Sequence, residues 1–396
     1  MEDPQFKESE LPSPTILRKS ILCLEKPVVM KNAIESWPIS KWNMQDWKSA
    51  LGGVKLPFRT GTRDCTEVPQ WEGSSKIMQY SVEEFLSITE KKELQDWMYF
   101  DYKYMNEWFK NHPSILESVS WASVGFPELK GEDSTMWLGS KGAHTPCHMD
   151  SYGLNLVAQL HGKKAWILFS PDDVDSLQPT RIPYEESSIF SKINFSCRKS
   201  LRGFKEAYFV ILNPGDVLVV PNAWWHYVEN IETSISINTW IPLEIDDEKR
   251  LEECLVRTFI GSVVQNLDEA ERQSLLNPNE VELFRSFDAS NTEILNLCVQ
   301  NVNEKKRKND CNLPGNVSPQ LPQPFVESPI IKFVKNCEVD DIAKKLQCSC
   351  NDYNSGTGVL NSSTQQIDFG KVINAFCHPE VVSIVKEKLL KKFSSK

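Results

Sequence analysis

The sequence predicts a mainly β fold with flanking helices, arranged as an antiparallel sandwich or barrel. Short apolar runs joined by tight turns fill residues 135–242, without the long alternating helices of a parallel α/β fold. All twelve Trp and eight of the nine Tyr lie at or before Trp240. We therefore expect one packed, aromatic-rich domain that ends soon after residue 240, with a helical region after it.

The N-terminal part is expected to pass from a flexible arm into short strands and helices. Residues 1–24 begin polar and contain prolines, so they are predicted to form the arm. A strand is predicted over 27–30 and a helix over 44–51. Another helix is predicted to begin at Ser81, because Ser81 and Glu84 have the spacing of a capping box.

The β-rich region contains the candidate core strands. They are predicted over 154–160, 165–169, 208–212, 217–220 and 234–241. The third and fourth flank Asn213-Pro214-Gly215-Asp216, whose Pro-Gly pair predicts a tight hairpin turn. The fifth alternates between apolar and polar residues, which is typical of a strand with one buried face.

The chain after residue 245 is predicted to be helical and then loosely structured. A 3.6-residue apolar period over 246–267, followed by two short helical segments over 280–287 and 292–302, predicts a helical extension over 246–302. Residues 303–370 are charged and then rich in small and polar types, so they are predicted to be a low-complexity linker, disordered in part. Residues 371–396 carry an amphipathic helix from Pro379. Docking of this helix on its own protein is favoured over binding of a partner.

Composition excludes some classes of function. The formal net charge is −10 and the pI is near 5.3. This balance disfavours broad nucleic-acid binding, which needs a basic surface to displace counterions. No apolar run approaches about 18 residues, so no membrane-spanning helix is expected.

Location and redox state are expected from the N-terminus and the cysteines. The first residues lack the basic-then-apolar pattern of a signal peptide. The eleven cysteines are irregularly spaced and are therefore expected to be reduced thiols in the cytosol or nucleus. The run Lys305-Lys306-Arg307-Lys308 resembles a nuclear import signal, but a solvated linker is favoured. A cytoplasmic protein is expected, with nuclear location left open.

The most informative motif is His148-Met149-Asp150, followed much later by His226. His148 and Asp150 lie two positions apart in a predicted strand and so point to the same face. Two imidazoles and one carboxylate are the ligand set of mononuclear non-haem Fe(II) sites, which keep positions open for cosubstrate and O2. A lone His-x-Asp pair is common by chance, so the surrounding sequence decides whether this pair indicates a metal site.

That context is a set of motifs in a familiar order. They are Thr145-x-x-His148-x-Asp150, Asn155-Leu156-Val157-Ala158-Gln159-Leu160-x-Gly162-x-Lys164, Pro214-Gly215-Asp216-Val217-Leu218, Pro221-x-x-Trp224-Trp225-His226-Tyr227-Val228 and Ser236-Ile237-Asn238-Thr239-Trp240. With them, residues 25–245 resemble the JmjC class of Fe(II)- and 2-oxoglutarate-dependent oxygenases. The resemblance implies a double-stranded β-helix, a jelly roll of the cupin type, with C-terminal helices.

The resemblance also implies a site, residue by residue. His148, Asp150 and His226 match the Fe(II) ligands. The cosubstrate-binding residues would be Thr145, Asn155, Lys164 and Asn238. Lys164 matches the cation for the far carboxylate of 2-oxoglutarate, and Thr145 matches a hydroxyl for the same group. Taken alone, Lys163-Lys164 would favour a solvated lysine, but the spacing from Asp150 reverses that choice.

Other residues near these motifs have plainer interpretations. His144 is expected to be surface or hydrogen-bonded loop, with support of the metal ligands as the less favoured alternative, and His161 is expected to be strand surface. Trp224 and Trp225 are expected to pack the barrel wall beside the metal. Tyr184-Glu185-Glu186 could border a substrate cleft, but a solvated loop is slightly favoured.

The function that the resemblance implies is oxidation of a protein side chain by O2, with 2-oxoglutarate converted to succinate and CO2. Hydroxylation is expected, or demethylation if the oxidised carbon is attached to nitrogen. A closer resemblance, to a family branch associated with small heat-shock proteins, rests on residues 142–148 and 179–188. It implies the alternative of a non-catalytic scaffold that binds a small heat-shock protein in the stress response. Histone demethylation is a weaker third hypothesis, and a homodimer is left open.

Overall fold

The structure is a computed structural model, and it describes residues 11–90, 95–285, 290–309, 320–346 and 369–393. The strands in these ranges are β1 (Val28–Met30), β2 (Leu56–Thr62), β3 (Lys76–Tyr80), β4 (Asp96–Tyr104), β5 (Thr135–Gly139), β6 (His144–Asp150), β7 (Leu154–His161), β8 (Lys164–Phe169), β9 (Pro179–Glu185), β10 (Ser188–Ser191), β11 (Glu206–Leu212), β12 (Val217–Val220), β13 (Trp225–Asn230), β14 (Ser234–Ile241), β15 (Ile331–Phe333) and β16 (Lys335–Glu338).

The helices surround these strands and dominate the chain after β14. They are α1 (Pro14–Ile21), α2 (Met44–Leu51), α3 (Val82–Thr89), α4 (Met105–Trp108), α5 (Pro113–Leu116), α6 (Asp246–Val264), α7 (Glu269–Leu275), α8 (Pro278–Arg285), α9 (Ser290–Asn309), α10 (Gln323–Val326), α11 (Val339–Ala343), α12 (Phe369–Phe376) and α13 (Pro379–Phe393). The predicted helix over 44–51 is confirmed. The capping box of Ser81 and Glu84 is also present, at the start of α3.

Two antiparallel sheets form the body of the protein. One has nine strands in the order β15-β1-β12-β7-β14-β5-β4-β2-β3, and the other has seven in the order β16-β11-β8-β13-β6-β10-β9. Along the chain β5, β6, β7 and β8 alternate between the sheets, and β11 to β14 do so again. This alternation is the double-stranded β-helix that the motifs imply, and these eight strands are called the inner strands below.

The inner strands confirm the predicted segments but correct one connection. The Asn213-Pro214-Gly215-Asp216 turn does not join a hairpin, because β11 pairs with β8 and β16 whereas β12 pairs with β7 and β1. The turn instead carries the chain from one sheet to the other. A Pro-Gly pair predicts the reversal of the chain and the positive φ of Gly215 (96°), but not the strand that the next segment joins.

The predicted flexible arm over 1–24 is wrong for its second half. Residues 14–21 form α1, which begins with Pro14 after an N-cap hydrogen bond to Ser13. Leu17 and Ile21 lie four positions apart on one face and are fully buried in the large core of the nine-stranded sheet. Residues 1–10 lie outside the described residues.

The predicted linker over 303–370 is also wrong in part. β15 pairs with β1 at one edge of the nine-stranded sheet, and β16 pairs with β11 at an edge of the seven-stranded sheet. Phe325 of α10 and Ile342 of α11 are fully buried in two core clusters. These strands are three and four residues long, so tertiary pairing rather than a strong local pattern makes them form. Residues 310–319 and 347–368 lie outside the described ranges.

The helical extension is confirmed, and α9 continues it from residue 302 to 309. The predicted amphipathic C-terminal segment forms α12 and α13, and α13 packs on α6. Lys386 of α13 donates to Glu248 and Glu252 of α6, and Val382 and Leu390 are buried. Docking on its own protein, the favoured alternative, therefore describes this helix.

The cysteines differ from expectation at one pair. Cys65 and Cys197 form a disulfide with a Cα–Cα distance of 5.3 Å, although 132 positions separate them. The fold packs the loop after β2 against the segment after β10. The spacing of the cysteines along the sequence does not predict this contact. Six further cysteines of the described chain are free thiols. Among the described helices, none is both long and apolar enough to cross a membrane.

Candidate metal and cosubstrate site

Three side chains of the predicted triad meet between the two sheets. The imidazole nitrogens of His148 and His226 and a carboxylate oxygen of Asp150 lie within 4.8 Å of one another. β6 carries His148 and Asp150, and β13 places His226 directly opposite His148 in the strand register. The cross-strand register of two neighbouring inner strands therefore assembles the cluster, as the i and i+2 spacing predicted.

Both histidines are oriented in the same way. Nδ1 of His148 lies 2.9 Å from the carbonyl oxygen of Pro146, and Nδ1 of His226 lies 3.0 Å from that of Trp224. A carbonyl only accepts, so each Nδ1 carries the proton and each Nε2 keeps its lone pair for a metal. Burial, with His226 nearby, lowers the pKa of His148 to about 4. His148 is therefore neutral at pH 7, the form that ligates metals.

The carboxylate ligand is held by an indole. Nε1 of Trp240 donates to Oδ2 of Asp150 over 3.0 Å, and Oδ1 of Asp150 lies 3.8 Å from Nε2 of His148. Trp240 thus fixes the rotation of the carboxylate and leaves its other oxygen toward the two imidazoles. Hydrogen bonds of this kind orient metal ligands and raise the affinity of the site.

A cavity of about 230 Å³ opens beside the triad, and Lys164 lies at its buried end. Lys164 is only 1 % exposed, and its ammonium donates to the hydroxyl of Tyr99 over 3.0 Å. Among the described residues it forms no ion pair. Burial lowers its pKa to about 7, against the opposing effect of Asp101. A buried ammonium without an ion-pair partner is stabilised by an anion, so this end of the cavity favours an anionic ligand.

Tyr99 is a site residue that the sequence did not indicate. Its hydroxyl bonds to both Lys164 and Thr145, so it joins the two side chains predicted to bind the far carboxylate. Burial, followed by the negative charge of Asp101, raises the pKa of Tyr99 and keeps the phenol neutral. Tyr99 lies on β4, outside the inner strands and outside the motifs, and no local pattern marks it.

The two predicted amides lie together on the opposite sheet. Nδ2 of Asn238 donates to Oδ1 of Asn155 over 2.9 Å, and Nε1 of Trp137 donates to Oδ1 of Asn238 over 2.8 Å. Both amides line the cavity, with Ser236 and Trp240 of the same strand. Ser234, two positions before Ser236 on this strand, does not line the cavity, and its hydroxyl lies within hydrogen-bond distance of the carbonyl oxygens of Lys163 and Glu232.

These residues fit Fe(II) and 2-oxoglutarate on the chemistry of the donors themselves. Two imidazoles and a carboxylate suit non-haem iron, and the ammonium and hydroxyls at the buried end suit a carboxylate. Trp166, which is 5 % exposed and lines the same cavity, has an indole N–H without a hydrogen-bond partner in the described chain. A buried donor of this kind needs a ligand or water to satisfy it.

The mouth of the cavity is formed by residues outside the inner strands. The mouth is defined as the following residues, all of which line the cavity: Trp71, Glu72, Tyr102, Glu185 and Asn277. For Tyr184-Glu185-Glu186 the favoured solvated loop is therefore wrong. Tyr184 is fully buried, Glu185 faces the cavity and Glu186 pairs with Arg257.

The remaining predictions concern two histidines and two tryptophans. His144 is 3 % exposed, and its Nδ1 lies 3.0 Å from the carbonyl oxygen of Gly142, so it is a buried, hydrogen-bonded residue rather than surface. Burial lowers its pKa to about 4. His161 ends β7 half-buried. Trp224 and Trp225 are both buried in core clusters, as expected of the barrel wall.

Comparisons with known proteins show which family this chain resembles. A family model described as a cupin-like domain matches residues 14–246. HSPB1-associated protein 1 of Bos taurus is 40 % identical over 286 residues, which cover 68 % of this chain and 59 % of the relative. The chain thus matches less than two thirds of the length of that protein.

Two further relatives extend the comparison. The HSPB1-associated protein 1 homolog of Danio rerio is 32 % identical over an alignment of 441 positions, which spans 96 % of this chain and 97 % of the relative. Jumonji C domain-containing protein 5 of Drosophila melanogaster is 26 % identical over 254 residues, with 58 % of this chain and 59 % of the relative covered.

Proposed function

The chain belongs to the cupin-like family and, within it, to the JmjC proteins, and from this we propose that it is an Fe(II)- and 2-oxoglutarate-dependent oxygenase. We propose a protein side chain as its substrate and hydroxylation as its reaction. Demethylation would be the outcome if the oxidised carbon were attached to nitrogen, and release of formaldehyde would distinguish the two.

The observation that carries the proposal is the combination of two donor sets in one cavity. His148, Asp150 and His226 offer two free Nε2 atoms and a carboxylate oxygen within 4.8 Å of one another. Lys164 and Thr145 line the same cavity and are joined through Tyr99. A metal triad alone would also suit other metals, but a buried ammonium beside it favours an anionic cosubstrate.

Each side chain has a role in binding or orientation. When bound, Fe(II) and 2-oxoglutarate supply the oxidation of a substrate C–H bond by O2, with release of succinate and CO2. His148, Asp150 and His226 would hold the metal, and Lys164 with Thr145 would hold the far carboxylate. Asn155 and Asn238 would contact the cosubstrate from the facing sheet. The aromatic walls would exclude water from the reacting atoms.

The experiment is release of succinate by the purified full chain with Fe(II), ascorbate and 2-oxoglutarate. We expect turnover by the wild-type chain and a loss on the order of 100-fold or more in His226→Ala, because two ligands cannot retain the metal. His161→Ala, at a half-buried position outside the cavity lining, is the matched control and should retain turnover. An inactive wild-type chain, or an active His226→Ala variant, would contradict the proposal.

We further propose that a small heat-shock protein is a partner or substrate of this chain. The support is the name of two relatives, HSPB1-associated protein 1 and its homolog, which states an association with HSPB1. The alternative function follows from the same observation: a non-catalytic scaffold that binds the small heat-shock protein in a stress response. Co-purification with a small heat-shock protein should survive His226→Ala, and its absence in both forms would contradict the partnership.

We propose a cytoplasmic location, with nuclear entry left open, because the eleven cysteines are irregularly spaced. The Cys65–Cys197 disulfide argues in the other direction, since disulfides are uncommon in the cytosol. Lys305 of the basic run pairs with Asp247 over 3.0 Å and is thus partly engaged within the protein. Fractionation of cells that express a tagged chain tests the location, and secretion would contradict it.

A further inference from the structure

Two free thiols lie where two of the C-terminal helices pack together, outside the lining of the cavity. Cys254 belongs to α6 and Cys298 to α9. Neither takes part in the disulfide, and the metal and cosubstrate site uses neither of them. Their position relative to each other decides which chemistry they can perform.

Contacts along α6 and α9 show that the two helices pack antiparallel. The ammonium of Lys305, near the end of α9, donates to the carboxylate of Asp247, near the start of α6, over 3.0 Å. Leu251, four residues later on α6, shares a buried cluster with Val302, three residues earlier on α9. Contacts that advance along one helix therefore go back along the other.

The same register places the two thiols opposite each other. Cys254 follows Asp247 by seven residues, and Cys298 precedes Lys305 by seven. Seven residues are about two turns of an α-helix, so both thiols lie two turns from the ion pair, on the facing sides of the helices. Accordingly, the thiol of Cys254 donates a hydrogen bond to the sulfur of Cys298. The two sulfur atoms are thus in direct contact.

The surroundings favour ionisation of one thiol of the pair. The hydrogen bond from Cys254 lowers the pKa of Cys298 to about 7, and the positive charge of Arg250 acts in the same direction. Burial opposes this effect, as do the charges of Glu186 and Asp247. The same hydrogen bond, followed by burial, raises the pKa of Cys254. Cys298 is therefore the nucleophile of the pair at neutral pH, and Cys254 keeps its proton.

The exposure of the two thiols differs in the same sense. Cys298 is half-buried and follows Leu297, which is 56 % exposed, whereas Cys254 is only 6 % exposed. A small oxidant in solution can therefore reach Cys298 first. Thiolates rather than thiols react with peroxides, and a thiolate with a second cysteine beside it forms a disulfide after oxidation.

We propose that Cys254 and Cys298 form a redox-active dithiol that hydrogen peroxide converts to a disulfide between α6 and α9. The Cys298 thiolate attacks one oxygen of the peroxide and breaks the O–O bond. This leaves a sulfenic acid and a hydroxide, which takes up the proton that Cys298 had released. The sulfur of Cys254 then attacks the Cys298 sulfur, the S–O bond breaks, and the hydroxyl leaves as water with the Cys254 proton. Two thiols lose two electrons in total, and one peroxide becomes two waters.

The dithiol lies on a helix that contributes to the wall of the cavity. Asp246 and Arg250 of α6 line the cavity, and Asp246 accepts a hydrogen bond from the backbone N–H of Gly153 over 2.9 Å. Arg250 lies one turn before Cys254 and loses a neighbouring negative charge when the Cys298 thiolate is consumed. Oxidation thus acts on the helix beside the cavity, whether or not the cavity binds 2-oxoglutarate.

Mass spectrometry of the purified full chain tests the proposal. The freshly reduced chain is freed of reductant and treated with hydrogen peroxide, and catalase removes the remainder. Free thiols are then alkylated before digestion with trypsin. Cleavage after Lys and Arg places Cys254 alone in the peptide 251–257 and Cys298 alone in the peptide 286–305. We expect the disulfide-linked pair of these peptides to increase about tenfold or more over the untreated chain, and dithiothreitol to remove it.

Variants distinguish the roles of the two thiols. In Cys254→Ala the second thiol is missing, so Cys298 should remain a sulfenic acid, and dimedone should label it about tenfold more than in the wild type. In Cys298→Ser the reactive thiol is missing, and Cys254 should be recovered alkylated rather than oxidised. Cys337→Ser replaces another half-buried free thiol, on β16, and is the matched control. Its linked peptide should form as in the wild type.

The outcomes separate this inference from the proposed oxygenase function. Absence of the linked peptide from the peroxide-treated wild-type chain would overturn the inference, since the two thiols would then only pack the helices together. Equal labelling of Cys298 and Cys337 by dimedone in Cys254→Ala would overturn it as well. The linked peptide is measured in the wild-type chain, so the main result does not depend on the folding of a variant. Release of succinate is a separate measurement, and neither result decides the other.

Discussion

The buried end and the mouth of the cavity are built in different ways. The buried end comes largely from inner strands, whose register brings Thr145, Lys164 and Asn238 to one space. The mouth comes from insertions and helices: the turn at Glu72, the β9–β10 hairpin and Asn277 between α7 and α8. The buried end thus follows from the motifs of the inner strands, whereas the mouth is built from segments outside those strands.

This difference separates two kinds of information. Because the inner strands pair in a fixed order, the spacing of residues along them determines which side chains lie close together. Motifs along these strands therefore predict which side chains meet. Segments that meet only through tertiary packing leave no such pattern. The residues at the buried end of the cavity are therefore predictable from the motifs, whereas those at its mouth are not.

The largest effect should follow from removing the cation at the buried end. Lys164→Met keeps the length of the side chain and removes its charge, so the far carboxylate of 2-oxoglutarate would lose its partner. We expect a loss of affinity on the order of 100-fold, or about 3 kcal/mol. Lys163→Met, at the exposed neighbour, is the matched control. Calorimetric titration with 2-oxoglutarate checks both, and equal affinities would contradict the role of Lys164.

A smaller effect should follow from freeing the carboxylate ligand. Trp240→Phe removes the indole N–H that orients Asp150 and keeps most of the aromatic wall. Loss of such a hydrogen bond typically lowers metal affinity by about 10-fold or more. Competition between the protein and a colorimetric chelator measures this, with Trp137→Phe as the comparison, since Trp137 binds Asn238 rather than a ligand of the metal. A similar loss in both variants would mean that Trp240 acts only by packing.

The hydroxyl that joins Lys164 and Thr145 should have a more modest effect. Tyr99→Phe removes one hydrogen bond to the ammonium and leaves the ring in place. We expect the affinity for 2-oxoglutarate to fall about fivefold, or about 1 kcal/mol. The same titration applies, and unchanged affinity would show that Tyr99 fills space without orienting Lys164.

The smallest expected effect is the uptake of a proton when 2-oxoglutarate binds. The pKa of Lys164, about 7 in the fold, lies below its unfolded value. The neutral form is thus favoured in the fold, and this group makes stability rise with pH above about 7. A bound carboxylate restores the ammonium, so binding of 2-oxoglutarate at pH 8 should take up about one proton and little at pH 6. Calorimetry in buffers of different ionisation enthalpy measures it, and Lys164→Met should remove it.

The errors at the level of sequence have physical causes. The sequence favours a solvated loop at Glu185, because nothing in the residues around a partly exposed carboxylate indicates that it faces a cavity. The Pro214-Gly215 turn specifies a reversal but not a partner strand. The strands at Ile331–Phe333 and Lys335–Glu338 are too short to show a period, and they form because each completes an existing sheet edge. By contrast, the triad was predictable because His148 and Asp150 share one strand face.

The central claim is that one cavity holds both Fe(II) and 2-oxoglutarate, and anaerobic binding tests it most directly. The purified chain is loaded with Fe(II) without O2 and titrated with 2-oxoglutarate, while visible absorption reports the chelate of the keto acid with the metal. We predict a saturable charge-transfer band at one equivalent that is absent in His226→Ala and weakened in Lys164→Met. Absence of the band in the wild-type chain, or its persistence in His226→Ala, would contradict the account.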